Sequence, residues 1–106
     1  MVALLPSGAY LSVIALVEVR HGLARKSAEV HARFDQMLRF APVLAIDRAI
    51  AERCAAIRIH ISDIGHQVRS RPLDLLIAAT AIEYGLTVVT NNRPDYRDVP
   101  GLLLLT

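Results

Sequence analysis

The sequence has 106 residues, a net charge of +2 and a hydrophobic content of 54%, with aromatic residues at 5%. This length allows one small domain with one core, and this composition excludes a disordered chain. The slight positive charge is compatible with a polyanionic partner but is weak support for one. Cys54 is the single cysteine, which excludes an intramolecular disulfide and is typical of a cytoplasmic protein. The apolar opening is interrupted at Pro6 and is too short to span a bilayer, so we expect no membrane segment.

The first half of the chain predicts strands and helices in alternation. Tyr10 to Val13 is typical of a short buried strand, and a helix is predicted from about Ile14 to Gly22. Apolar residues then recur at helical spacing from Ala28 to Phe40, and Pro42 ends that helix. The apolar run from Val43 to Ile46 predicts another strand.

The second half predicts two further helices and two strands. Asp47 is in position to cap a helix, and the apolar residues behind it form one stripe, at Ile50, Cys54, Ile57 and Ile61. Leu73 to Tyr84 predicts a helix that ends at Gly85, and Leu86 to Val89 predicts the strand that follows. The last strand is predicted over Leu102 to Leu105. Strands that are apolar throughout and alternate with helices predict an α/β fold with a parallel sheet covered on both sides.

Three acidic residues are predicted to lie near the carboxyl ends of these strands, where open α/β sheets bind ligands. Glu18 comes shortly after the first strand, Asp95 and Asn92 follow the strand that ends at Val89, and Asp74 lies in the first turn of the preceding helix. Clustered carboxylates repel one another unless a cation is present, and a divalent ion that keeps several waters removes this repulsion. Such an ion can activate water against a phosphodiester.

Each of these residues also has an ordinary structural explanation. Asp74 would stabilise the helix dipole by about 0.3–1 kcal/mol, and Glu18 would occupy a solvated position. Asn92 and Asp95 would be turn residues. Cys54 lies on the apolar stripe and is interpreted as a buried structural thiol. A group of polar residues at a spacing of three is interpreted as a solvated helix face: His60, Asp63 and His66.

Two segments of the chain resemble those of a known family. Tyr10 to Arg25, with the sequence YLSVIALVEVRHGLAR, resembles the segment that carries the second acidic residue of PIN-domain nucleases. Asp74 to Tyr96, with the sequence DLLIAATAIEYGLTVVTNNRPDY, resembles the segment with their third acidic residue and their closing motif. The tail from Val99 to Leu105 is similar to the family's last strand. The resemblance is strongest to the toxin ribonucleases of VapBC-type toxin–antitoxin pairs, and it implies a PIN-like three-layer sandwich in which helices flank a short parallel sheet.

The resemblance also implies an activity, which is Mg²⁺- or Mn²⁺-dependent endonucleolytic cleavage of RNA. It implies that three carboxylates bind the metal, those of Glu18, Asp74 and Asp95. Asn92 would complete the closing end of the site, and Thr90 would orient water or substrate. Three arginines are candidates for binding RNA phosphates, although solvated arginines explain them equally well: Arg20, Arg25 and Arg93. A cognate antitoxin, a homodimer and a cytoplasmic location are implied in the same way.

The sequence departs from the family at its start. The family opens with a strand that ends in an Asp-Thr-Asn motif and supplies the first metal ligand, whereas no acid precedes Glu18 here. A parallel replacement for that strand needs a crossover of about a dozen residues, and Pro6 to Ala9 is too short to connect Val2 to Leu5 in this way. We therefore expect residues 1–106 to form one PIN-like domain without the family's first strand and helix. We also expect weakened metal binding and catalysis, and a gap or unpaired edges in the sheet that invite pairing with another chain.

Two other functions remain open from the sequence. A non-catalytic PIN-like module that binds an antitoxin or RNA is favoured by the missing first acid. The presence of Glu18, Asp74 and Asp95 instead favours an enzyme. A plain α/β domain of unrelated function is the third interpretation.

Overall fold

The computed structural model describes residues 2–5, 8–69, 71–90 and 93–105, with the backbone alone up to residue 9. Its strands are β1 (Val2–Leu5), β2 (Gly8–Ser12), β3 (Val43–Leu44), β4 (Thr87–Val89) and β5 (Leu103–Leu105). Its helices are α1 (Val13–Gly22), α2 (Ala28–Leu38), α3 (Arg48–Asp63) and α4 (Pro72–Tyr84). A short 3₁₀ turn over Arg93–Asp95 follows β4.

The strands form one sheet in the order β3-β2-β1-β4-β5. The β2–β3 and β4–β5 pairs are parallel, as the sequence predicts, but β1 is antiparallel to both of its neighbours. Two residues separate β1 from β2, and a connection this short allows an antiparallel pair and no parallel one. The sheet is therefore mixed, and the expectation of a gap beside β2 is wrong because β1 fills that position.

The direction of β1 decides which of its ends reaches the edge of the sheet where β2 and β4 end. Val2 pairs with Val89 and Leu4 pairs with Thr87, so the amino end of β1 lies beside the carboxyl end of β4. A parallel strand at this position would place its carboxyl end there. β1 contains no acidic residue, so this edge receives its carboxylates from other elements.

Specific capping residues fix one end each of α1, α3 and α4. The Ser12 hydroxyl accepts a hydrogen bond from the backbone N–H of Ala15 at 3.0 Å, which starts α1 directly after β2. The predicted cap at Asp47 is confirmed, since its carboxylate accepts from the backbone N–H of Ile50 at 2.9 Å. Gly85 ends α4 in the left-handed region at φ 69°, as predicted, because glycine has no Cβ to oppose that conformation.

The core lies where α3 and α4 meet each other and the sheet. The predicted stripe of α3 is confirmed, since none of its four residues is more than 6% exposed: Ile50, Cys54, Ile57 and Ile61. α4 contacts α3, α1 and β4, and its central turns are buried on nearly all sides. Burial raises the pKa of the Cys54 thiol, which agrees with a structural role for this residue. No helix within the described stretches is both long and apolar enough to cross a lipid bilayer.

Candidate active site

The three acidic residues predicted for the site come from three separate elements. Glu18 lies in α1, which begins where β2 ends, and its side chain is exposed. Asp74 lies half-buried in the first turn of α4. Asp95 lies half-buried at the end of the 3₁₀ turn that follows β4. A site formed by these three residues would have to bring together positions up to 77 apart, and the surroundings of Tyr96 bear on this arrangement.

Tyr96 is fully buried, and its hydroxyl contacts one of the three carboxylates, that of Asp74. The hydroxyl donates a hydrogen bond to Oδ1 of Asp74 at 3.2 Å. Burial, followed by the negative charges of Asp74, Glu18 and Asp95, raises the pKa of Tyr96 far above its ordinary value. Because electrostatic influence of this kind decays with distance, the charges of Glu18 and Asp95 act on the hydroxyl that contacts Asp74. The hydroxyl therefore stays protonated and acts as a donor.

Asp74 occupies an unfavourable position for a negative charge. Burial is the main reason that its pKa is raised, and the nearby carboxylate of Asp95 raises it further. The hydrogen bond from Tyr96 and the positive charge of Arg71 oppose this increase. A partly desolvated carboxylate beside a second carboxylate is the arrangement that a bound cation would stabilise.

The donor atoms fit a divalent cation that keeps most of its water. Within the described part of the chain, no group of three or more His, Cys, Asp or Glu side chains is arranged to hold a metal ion. Asp74 and Asp95 nevertheless interact through their charges, and Mg²⁺ in proteins is commonly held by one or two carboxylates together with waters and substrate phosphates. The two carboxylates thus fit a hydrated hard cation.

Two other residues, Thr90 and Asn92, were predicted for the site. Thr90 is buried directly after β4, and its backbone N–H donates to the carbonyl of Leu105 at 3.0 Å. This bond continues the β4–β5 pairing and holds the start of the segment after β4 against the sheet. Asn92 lies outside the residues that the structure describes.

The three arginines predicted to bind RNA differ in their surroundings. The guanidinium of Arg20 forms an ion pair with Asp35 and lies over the ring of Phe34, 4.8 Å from the ring centroid. Its charge is therefore already partly compensated within the protein. Arg25 and Arg93 are exposed.

The sequence did not indicate the ion pair that lies next to these acids. The guanidinium of Arg71 binds the carboxylate of Asp98 through two hydrogen bonds, Nη1 to Oδ1 at 2.7 Å and Nη2 to Oδ2 at 2.8 Å. Mainly because of these bonds, the pKa of Asp98 falls to about 2. Nδ1 of His66 lies 3.0 Å from Oδ2 of Asp98 as well. The two partners are 27 residues apart, so no local spacing in the sequence could have identified the pair.

Comparisons with known proteins agree with this fold. Residues 2–102 match the family model of the PIN domain. VapBC2 from Rickettsia felis aligns over 91% of this chain and 72% of its own, with 26% identity and a TM-score of 0.78. That structure shows VapBC2 bound to a DNA fragment from its promoter. DNA-bound VapBC from Salmonella typhimurium aligns over 89% of this chain and 71% of its own, with 32% identity and a TM-score of 0.74.

A third solved structure that resembles this chain is also a VapBC protein. VapBC-5 from Mycobacterium tuberculosis, a member of the VapBC family of toxin–antitoxin systems, aligns over 91% of this chain and 78% of its own, with 28% identity and a TM-score of 0.68. No curated protein sequence matched the chain. Because the family model spans nearly the whole chain and the fold agrees with these structures, the chain belongs to the PIN-domain family, as a PIN domain of the VapC type.

Proposed function

We propose that this protein is a divalent-metal-dependent endoribonuclease, the toxin of a VapBC-type toxin–antitoxin pair. PIN domains are in general nucleases that use divalent metal ions. The observation that supports the proposal most directly is the hydrogen bond from the Tyr96 hydroxyl to Asp74, at a position where the charges of Glu18 and Asp95 also act. The proposal takes residues 1–106 as one PIN-like domain.

In this proposal the side chains at the sheet edge have separate chemical roles. A bound Mg²⁺ or Mn²⁺ would activate water and neutralise charge that develops on the phosphodiester. Asp74 and Asp95 would hold the ion, with Glu18 as a third carboxylate on the same side. The Tyr96 hydroxyl would fix the orientation of the Asp74 carboxylate through its hydrogen bond. Asn92 would complete the closing end, and Thr90 would orient water or substrate.

The RNA would be held beside these acids by positively charged side chains. Arg25 and Arg93 are exposed and available for phosphate contacts, whereas Arg20 would have to exchange Asp35 for a phosphate. The partner would be a cognate antitoxin, because the solved structures that resemble this chain are VapBC proteins. We also propose a homodimer and a cytoplasmic location, both from the likeness to VapC-type proteins.

The proposal is tested by RNA cleavage with the purified 106-residue chain. We expect cleavage of single-stranded RNA in Mg²⁺ or Mn²⁺, loss of cleavage in EDTA, and a loss in Asp74→Asn that exceeds the ~10–100-fold typical of outer-shell changes. Glu83→Gln is the matched control, since it makes the same change at the opposite end of α4, where Glu83 pairs with Arg53. Equal cleavage by the wild type and Asp74→Asn would contradict the proposal.

A second candidate function is a non-catalytic PIN-like module that binds an antitoxin or RNA. Two observations favour it: β1, the strand between β2 and β4, carries no acidic residue, and no three-ligand metal group is found among the described residues. The same samples distinguish the two functions. A chain that binds RNA or its antitoxin, yet does not cleave RNA with either metal ion, would support the second candidate over the first.

A further inference from the structure

Arg71 is the one charged residue that is buried among the residues the structure describes, with 8% of its surface exposed. Its guanidinium binds both oxygens of Asp98, and its Nη1 also donates to the backbone carbonyl of Asp95 at 3.1 Å. On its other side, Nε donates to the backbone carbonyl of Gln67 at 3.1 Å. The planar guanidinium is thus fixed from several directions at once, which is the geometry that arginine favours and lysine cannot reproduce.

The backbone of Arg71 ties the same residue to the start of α4. Its carbonyl accepts a hydrogen bond from the N–H of Leu75 at 3.0 Å, so Arg71 stands at the helix start, three positions before Asp74. Its side chain meanwhile reaches the main chain of Asp95. One residue therefore connects the two segments that carry the two interacting carboxylates of the site.

This ion pair is much less exposed to solvent than the ion pair between Arg33 and Glu29. The side chains of Arg71 and Asp98 are 10% and 11% exposed, whereas those of Arg33 and Glu29 are 76% and 74% exposed. Exposed pairs are mobile and contribute little, while a buried pair with two parallel hydrogen bonds holds a defined geometry. A rigid pair of this kind can transmit a defined spacing to the groups attached to it.

We propose that Arg71, held by Asp98, is a positioning residue that sets the spacing between the carboxylates of Asp74 and Asp95. This inference rests on the proposed metal-dependent function, because the spacing matters when both carboxylates bind one cation. Arg71 itself touches neither the cation nor the RNA in this arrangement. It acts through the main chain of Asp95 and through the start of α4.

The test is the affinity of the purified chain for Mn²⁺, measured by calorimetry without RNA. Arg71→Lys keeps the positive charge but cannot bond Asp98 with two parallel donors and reach the Asp95 carbonyl as well. We expect it to bind Mn²⁺ ~10-fold or more weakly, as outer-shell changes at metal sites typically do. Arg53→Lys changes an exposed arginine that pairs with Glu83 at the far end of α4, and it should bind Mn²⁺ like the wild type.

A purely structural role is separated from a positioning role by stability-matched variants. Ile57→Val removes one methylene from the core and should lower stability without changing Mn²⁺ affinity. If Arg71→Lys does not fold, Asp98→Asn loosens the same pair from its other partner and should also weaken Mn²⁺ binding. Unchanged affinity in a folded Arg71→Lys would overturn this inference alone. A wild-type chain that binds no Mn²⁺ would overturn the proposed function and this inference with it.

Discussion

Tyr96 and Arg71 show that the donors around the site are harder to foresee than its acids. The carboxylates of Glu18, Asp74 and Asp95 could be proposed from the sequence because acids are scarce in an apolar chain and each follows a predicted strand or begins a helix. The Tyr96 hydroxyl reaches Asp74 across 22 positions, and the side chain of Arg71 reaches the Asp95 carbonyl across 24. Contacts between residues so distant in sequence depend on how α4 packs against the segment after β4. No local sequence pattern predicts that packing.

Tyr96→Phe removes the hydroxyl that donates to Asp74 and leaves the buried ring in place. The hydrogen bond lowers the pKa of Asp74 against the effects of burial and of Asp95, so its loss should raise that pKa further. The acid limb of any metal-dependent activity should move to higher pH, because Asp74 must be ionised to bind a cation. We also expect stability to fall by about 1–2 kcal/mol, as for a buried hydrogen bond to a charged group.

Carboxyl-carbon NMR of Asp74 across a pH titration measures this change directly. Tyr84→Phe is the matched control, since Tyr84 is exposed at the end of α4 and the same hydroxyl is removed. A titration of Asp74 that is the same in Tyr96→Phe and in the wild type would show that the hydroxyl does not stabilise the carboxylate.

At the scale of elements, helices were predicted more closely than strands. α3 and α4 are long enough for a clear apolar stripe or an apolar run, and Asp47 and Gly85 mark their ends with specific backbone chemistry. The strand expected over Val43 to Ile46 is shorter, because β3 pairs with β2 over just two residues. The antiparallel course of β1 follows from its short connection to β2, although the apolar character of its residues is equally compatible with a parallel strand.

Asp47→Ala should destabilise the start of α3. The carboxylate accepts from the backbone N–H of Ile50, and its removal leaves that N–H without the cap. We expect the free energy of unfolding to fall by about 1 kcal/mol. Urea denaturation followed by circular dichroism measures the loss. Asp47→Ser keeps a hydroxyl acceptor at the same position and should retain most of the stability, whereas equal losses in the two variants would show that capping is not the cause.

At the scale of the whole molecule, the candidate site forms where three segments distant in sequence meet. The α/β class and the parallel pairs of the sheet could be predicted because they follow from hydrophobic pattern and chain order. In the structure, β1 fills the sheet between β2 and β4, and Asp98, in the segment after β4, binds Arg71 at the start of α4. The stability of this junction between α4 and the segment after β4 is therefore coupled to the ionisation of the Asp98 carboxylate.

Acid should weaken this junction over a defined range of pH. The pKa of Asp98 is about 2 in the folded chain, below its ordinary value of 3.8, mainly because of the hydrogen bonds from Arg71. The unfolded chain takes up a proton at Asp98 near pH 4, while the folded chain resists protonation until about pH 2. The stabilisation is fully present above pH 4 and is lost as the pH falls from about 4 to about 2, and the shift corresponds to about 2 kcal/mol. Asp74 has the opposite effect on stability, because its pKa is raised in the folded chain. As the pH rises above the ordinary pKa of an aspartate, the ionisation of Asp74 lowers the stability of the fold.

Urea denaturation at a series of pH values tests this coupling with Asp98→Asn, which cannot ionise at position 98. At pH 7 the variant should be less stable than the wild type by about 2 kcal/mol, since it lacks the contribution of the ionised pair. The difference between the two proteins should shrink between pH 4 and pH 2, because the wild type then loses the same contribution. Asp63→Asn, at an exposed position at the end of α3, controls for the general effect of removing an acid. A difference that stays constant down to pH 2 would mean that the Asp98 carboxylate does not couple its ionisation to the fold, and that the junction is held by packing instead.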